Sequence, residues 1–131
     1  MRYITAEQVV AIHERVILRD ELQGIVSERP VEAVIGRIEN RLAYGLIGDV
    51  YDLAACYTCY IAVGHCFHDA NKRTAHTAMQ VILKLNGIQL EYDIKTLGDM
   101  VIKAAQGIVE ETELAAFLRR SRAKDNIHDR R

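Results

Sequence analysis

Residues 65–76 read HCFHDANKRTAH, which places three histidines, an aspartate, an asparagine, a lysine and an arginine within twelve positions. Groups of these types in one short segment can ligate a metal, solvate a helix end or carry out catalysis. His65 is the group in the segment best suited to accept a proton near neutral pH. Asp69 can cap a helix start or hold magnesium, an ion that combines one or two carboxylates with phosphate oxygens. Asn71, Lys72 and Arg73 fall in the first turn of a helix, where unpaired amides and the positive end of the helix dipole favour an anion. Two cations there are unfavourable unless something negative binds beside them, and phosphate is the simplest such partner. His68 and His76 are less informative: the first suits a solvent-facing loop, and the second lies one turn beyond Arg73, lining the same pocket or facing solvent.

Metal ligation is the competing reading, because Cys56-Tyr57-Thr58-Cys59 precedes His65 and His68. The gap from Cys59 to His65 is far shorter than zinc-finger spacing. Both cysteines also lie inside an apolar helical run, where cysteine behaves as a small hydrophobe. Phosphoryl transfer needs little covalent help from a protein, since positioning, magnesium and cations supply most of the acceleration. A base, a carboxylate and a polarised helix start are a sufficient kit. The sequence carries neither a Walker lysine loop nor a glycine-rich kinase loop, so a kinase built on it works in this other way.

The elements that position these groups are helical. Thr5-Ala6-Glu7-Gln8 has the capping-box pattern, and Ala6, Val9, Val10, His13, Val16 and Ile17 share one face. His13 on that stripe reads as a core histidine with one hydrogen-bond partner. Residues 19–29 lose the periodicity and read as a loop or flap. Pro30 suits the first turn of a second helix, with Val31, Val34, Ile35, Ile38, Leu42 and Leu46 as its buried stripe. Asp49 can cap a third helix over residues 50–63 that is apolar on nearly every face and ends at Gly64. The fourth helix starts near Ala70 and runs to Leu85, stopped by Asn86-Gly87. Phe67 is expected to point into the core and pin the loop between helices three and four. Residues 88–92 form a short extended connection. A fifth helix carries Ile94, Leu97, Met100, Val101, Ala104 and Ala105, and a short sixth carries Leu114, Phe117 and Leu118. The expected fold class is all-α, a compact bundle of about six helices in one domain over residues 1–118. A basic, disordered tail is expected over residues 119–131.

Composition limits the alternatives. The 131 residues are 50% hydrophobic and 27% charged, ordinary for a globular chain. A net charge of −1 argues against a broad nucleic-acid-binding surface. No apolar signal core precedes the first acidic residue, and the longest apolar run is shorter than the roughly 20 residues that span a bilayer. Three cysteines do not form a disulfide framework, so a reduced cytoplasm is the expected location.

The segment from His65 to Arg73 resembles the HxFx(D/E)GN(G/K)R motif of the Fic/Doc family, and most closely the Doc branch, whose motif reads HxFx(D/N)(A/G)NKR. The helical pattern and the stretch AVIGRIENRLAY in helix two are similar as well, so the resemblance covers nearly the whole domain. It implies the toxin of a toxin–antitoxin pair with a Phd-like antitoxin. The implied reaction moves the γ-phosphate of ATP to a threonine hydroxyl of a translation factor, with elongation factor Tu the expected target, so that translation stops. On this resemblance His65 takes the hydroxyl proton, and Asp69 holds magnesium or orients the attacking group. Asn71, Lys72 and Arg73 would then cradle the nucleotide phosphates. Two departures from the wider Fic motif bear on the reaction. Lys72 replaces a glycine, which favours a reversed nucleotide with its γ-phosphate toward the histidine, and His76 replaces the final arginine, which weakens AMP transfer. AMP transfer, or a catalytically silent partner-binding protein, is the alternative. The (S/T)xxxE(G/N) inhibitory motif of many Fic enzymes is not found, so inhibition is expected from a partner.

Overall fold

Helix starts follow the side chains that can satisfy their free amides. A computed structural model of the chain describes residues 1–27 and 30–123. Helix α1, Ala6–Val16, begins at the capping box: Thr5 accepts from the Gln8 amide while the Gln8 side chain accepts from the Thr5 amide. Such a cap stabilises a helix by about 1 kcal/mol. Helix α2 is Val31–Ala43, with Pro30 as its N-cap residue. Helix α3, Val50–Gly64, is capped by the Asp49 carboxylate on the Asp52 amide. Helices α4, Asn71–Leu85, α5, Ile94–Ala105, and α6, Glu111–Arg120, complete the six helices among the described residues.

Helix α3 is the axis of the bundle. It packs on α2, α4, α5 and α6, and its interface with α4 is the largest of all. That environment explains its composition: Leu53, Ala54, Ala55, Tyr57 and Ala62 are completely enclosed. The polar groups on its buried faces are satisfied locally, since Thr58 donates to the Ala54 carbonyl at 2.8 Å and Tyr57 donates to the Ile4 carbonyl. The two cysteines behave as the small hydrophobes that their apolar setting implies. Burial pushes the thiols of Cys56 and Cys59 up to about 12, and Cys56 donates to Glu111 at 2.9 Å.

Several boundaries differ from the sequence reading. Leu46, placed on the buried stripe of α2, lies beyond its end and is 61% exposed, because the chain turns away after Ala43. Ile94 starts α5 but faces solvent at 79% exposure; Leu97, Val101 and Ala104 form its buried stripe. Helix α6 continues through Arg119 and Arg120, past the expected end of the domain at residue 118. Arg119 is held there by ion pairs to Asp49 and Asp52 at the start of α3. Residues 121–123 then pair with the extended connection, through Glu91 to Ser121 at 2.7 Å and Ala123 to Gln89 at 2.8 Å. The remainder of the expected tail, residues 124–131, lies outside the described residues.

Candidate active site

The motif loop connects the end of α3 to the start of α4, and both of its ends are left-handed. His65 has φ 50° and Ala70 φ 67°, the two non-glycine residues with positive φ among the described residues. The left-handed region costs an L-residue about 1–2 kcal/mol, so the neighbours of the loop must hold it. Ala70 stands where most Fic motifs have glycine. Ala70→Gly should therefore raise stability by about 0.5–1 kcal/mol in a urea titration, the relief of strain exceeding the added freedom of the unfolded chain. Ala70→Val should lower it by more than about 1 kcal/mol, because a branched side chain tolerates positive φ least.

Three sets of contacts hold the loop. Phe67 is 2% exposed and stacks on the buried ring of His13, with centroids 3.8 Å apart and planes 6° from parallel. His13 Nε2 donates to the Asp69 carbonyl at 2.9 Å, which fixes a proton on that nitrogen. His13 is thus the expected core histidine with one partner, and its partner is the motif loop. The second set is a clamp: Asn71 Oδ1 accepts from the Phe67 amide at 3.1 Å while Asn71 Nδ2 donates to the Phe67 carbonyl at 2.8 Å. The side chain expected to cradle phosphate therefore spends its main bonds on the loop.

The third set comes from the flap. Ile25 pairs with Phe67 in an antiparallel bridge, through Val26 to Cys66 at 2.7 Å and His68 to Gly24 at 3.3 Å. Asp69 is not the N-cap of α4; that position is Ala70, which offers no side-chain bond. Asp69 Oδ2 instead accepts from the Leu22 amide of the flap at 2.8 Å, because the left-handed turn at Ala70 separates Asp69 from the helix start. Arg73 also reaches the flap, donating to Glu21 at 2.8 and 3.3 Å and to the Val16 carbonyl at 2.9 Å. The bond to Arg73 holds the Glu21 carboxyl below its usual range, with help from the Leu18 amide. No periodicity or motif in the sequence pointed to Glu21 or Leu22, whose importance comes only from tertiary contact.

His65 and Lys72 remain uncommitted. His65 is exposed and makes no side-chain hydrogen bond, and the Lys72 ammonium has no ion-pair partner among the described residues. The amides of Asn71, Lys72 and Arg73 likewise donate to no acceptor of the described protein, and α4 has no acidic residue in its first turn. This helix start presents three donors, a dipole end and a lysine to whatever binds there.

His76, one turn further, is partly enclosed, and burial pushes its imidazole below the ordinary histidine range. Its Nε2 has no hydrogen-bond partner. The unfolded chain protonates this residue below about pH 6.5, whereas the folded one resists protonation until lower pH, so acid favours unfolding. Between about pH 7.5 and 5.5, the melting temperature of the wild type should fall further than that of His76→Leu; parallel curves would contradict this.

An all-helical scaffold in which a loop stapled by phenylalanine and asparagine runs from an exposed histidine to the open start of α4 defines a recognisable class. The chain belongs to the Fic/DOC family, whose model matches residues 3–83, from the N-terminal segment almost to the end of α4. It is similar to protein kinase doc of Escherichia phage P1, 39% identical over 121 residues that cover 92% of this chain and 95% of the relative. That similarity includes α5 and α6, which lie beyond the family match.

Proposed function

We propose that this chain is a protein kinase of the Doc type, the toxin of a toxin–antitoxin pair, which moves the γ-phosphate of ATP onto a threonine hydroxyl of another protein. The observation that carries the reading is the start of α4, with three unpartnered amides, no acid in its first turn and an uncommitted Lys72, reached through a loop that begins at the exposed His65. The similarity to a protein kinase over nearly the full length of both chains supports the same reaction.

The residues define the chemistry. His65 accepts the proton of the attacking hydroxyl as that oxygen bonds to the γ-phosphorus. The bond from the γ-phosphorus to the bridging oxygen breaks, and ADP departs. Helix-start amides and Lys72 hold the phosphate charge in place, which is where most of the acceleration in phosphoryl transfer arises. Asn71 contributes through the loop that it clamps. The exposure of His65 suits a hydroxyl carried by a macromolecule.

Magnesium fits the residues present. Asp69 offers one oxygen bonded to the Leu22 amide and another without a partner, and a single carboxylate with phosphate oxygens is a set that magnesium accepts. Bound there, the ion would offset phosphate charge. The neutral His76 favours γ-transfer over AMP transfer, since it supplies no fixed positive charge where other Fic enzymes have an arginine.

A translation factor, with elongation factor Tu the expected one, is the proposed target, a Phd-like antitoxin the proposed inhibitor and the cytoplasm the proposed location. No helix among the described residues is long and apolar enough to cross a membrane. Parallel incubations of a bacterial lysate with the protein and ATP labelled at either the γ- or the α-phosphate test the reaction. Label from the γ-position alone, on a threonine identified by mass, is expected. Label from the α-position would establish AMP transfer instead.

A further inference from the structure

We infer that Glu21 is a built-in competitor for the nucleotide: its carboxylate occupies the Arg73 guanidinium in the resting protein and must leave before a phosphate can take its place. This inference rests on the proposed ATP reaction and adds to it a flap that opens as nucleotide binds.

Two independent contacts from one turn of the flap carry it. The Glu21 carboxylate meets both terminal nitrogens of Arg73, at 2.8 and 3.3 Å, the two-point arrangement that a guanidinium also offers to phosphate. The next residue, Leu22, places its amide 2.8 Å from Asp69 Oδ2. Adjacent flap positions thus engage both the cation and the carboxylate to which the reaction assigns the phosphates and magnesium. The turn itself is stiffened by the Leu18 amide, which donates to Glu21 Oε1 at 2.7 Å. Lys72 has no such partner, so the flap blocks one of the two motif cations and leaves the other open.

The pair is exposed at the surface, with Arg73 42% and Glu21 21% accessible, so competition rather than complete blockade is expected. A second arrangement is chemically possible. Arg73 Nε makes no bond, and a phosphate approaching that edge would leave Glu21 in place to steady the guanidinium. The two arrangements predict opposite signs.

Calorimetric titration of antitoxin-free protein with magnesium ATP separates them. Glu21→Gln keeps the size of the side chain and an oxygen for the Leu18 amide while removing the charge. Competition predicts binding about 1.5- to fivefold tighter than wild type, the range that exposed ion pairs support. It also predicts that the gain disappears in an Arg73→Gln background. Unchanged or weaker binding by Glu21→Gln would overturn the inference and assign Glu21 to support of Arg73. Hydrogen exchange at the Leu22 amide gives a second sign: release of the flap requires faster exchange when nucleotide is added, and slower exchange would overturn it. Wild-type protein that binds no magnesium ATP would instead overturn the kinase reading on which the inference rests.

Discussion

His65→Asn should reduce phosphate transfer by roughly a hundredfold to ten-thousandfold, the range lost when a positioned general base is removed. Stability and magnesium ATP affinity should remain near wild type. Asparagine is the informative replacement because His65 adopts φ 50°, a left-handed conformation that asparagine tolerates better than most residues. The imidazole is exposed and makes no hydrogen bond, so the fold does not depend on it. A kinetic assay with saturating ATP should therefore show the loss in kcat and not in the KM for nucleotide. Transfer retained within a few-fold would remove His65 from the reaction and favour a partner-binding protein.

Asn71→Ala should lower folding stability by about 2–4 kcal/mol and abolish transfer as well. Its amide satisfies both the N–H and the C=O of Phe67, whose side chain is buried against His13. Each bond contributes about 1 kcal/mol, and each backbone group left stranded costs about 1–3 kcal/mol, with partial relief from water. Against a total stability of about 5–15 kcal/mol this is a large loss, measurable as a shift in urea midpoint. Asn71→Asp is a useful companion, because it keeps the acceptor for the Phe67 amide and turns the other contact into a repulsion. A change below about 0.5 kcal/mol for Asn71→Ala would show that the clamp does not hold the loop.

The parts of this molecule that were legible in its sequence are those governed by local rules. The Thr5 capping box, the Asp49 cap and the continuous apolar run of α3 each produced the helix expected of them. His13 was assigned to the core from its position on an apolar stripe, and Phe67 as the large apolar side chain among the polar groups of the motif loop. Residues at helix ends were harder to place. Leu46 fits the spacing of α2, yet the helix stops three residues before it, where Gly45 takes the left-handed conformation just after the Tyr44 cap. Asp69 looked like a helix cap because an acid precedes the first turn of α4. The left-handed turn at Ala70 is what frees it to reach Leu22.

At the candidate site, the residue types were legible in sequence but their bonds were not. Asn71 and Arg73 were expected at the phosphates from the helix start and the family resemblance; their hydrogen bonds in the structure tie the loop and the flap together. The flap had no periodicity from which its path over the motif could be read. Its register is fixed by the Ile25–Phe67 bridge and by Glu21, contacts between segments more than 40 residues apart. The open amides of α4 and the unpaired Lys72 are where expectation and geometry agree.

The most direct test of the account is a titration of isotopically labelled, antitoxin-free protein with magnesium ATP, followed through the backbone amide and histidine resonances. Saturable shifts should be largest at the amides of Asn71, Lys72 and Arg73, with the His65 ring among the perturbed groups. Shifts confined to another face of the bundle, or none at millimolar nucleotide, would contradict it.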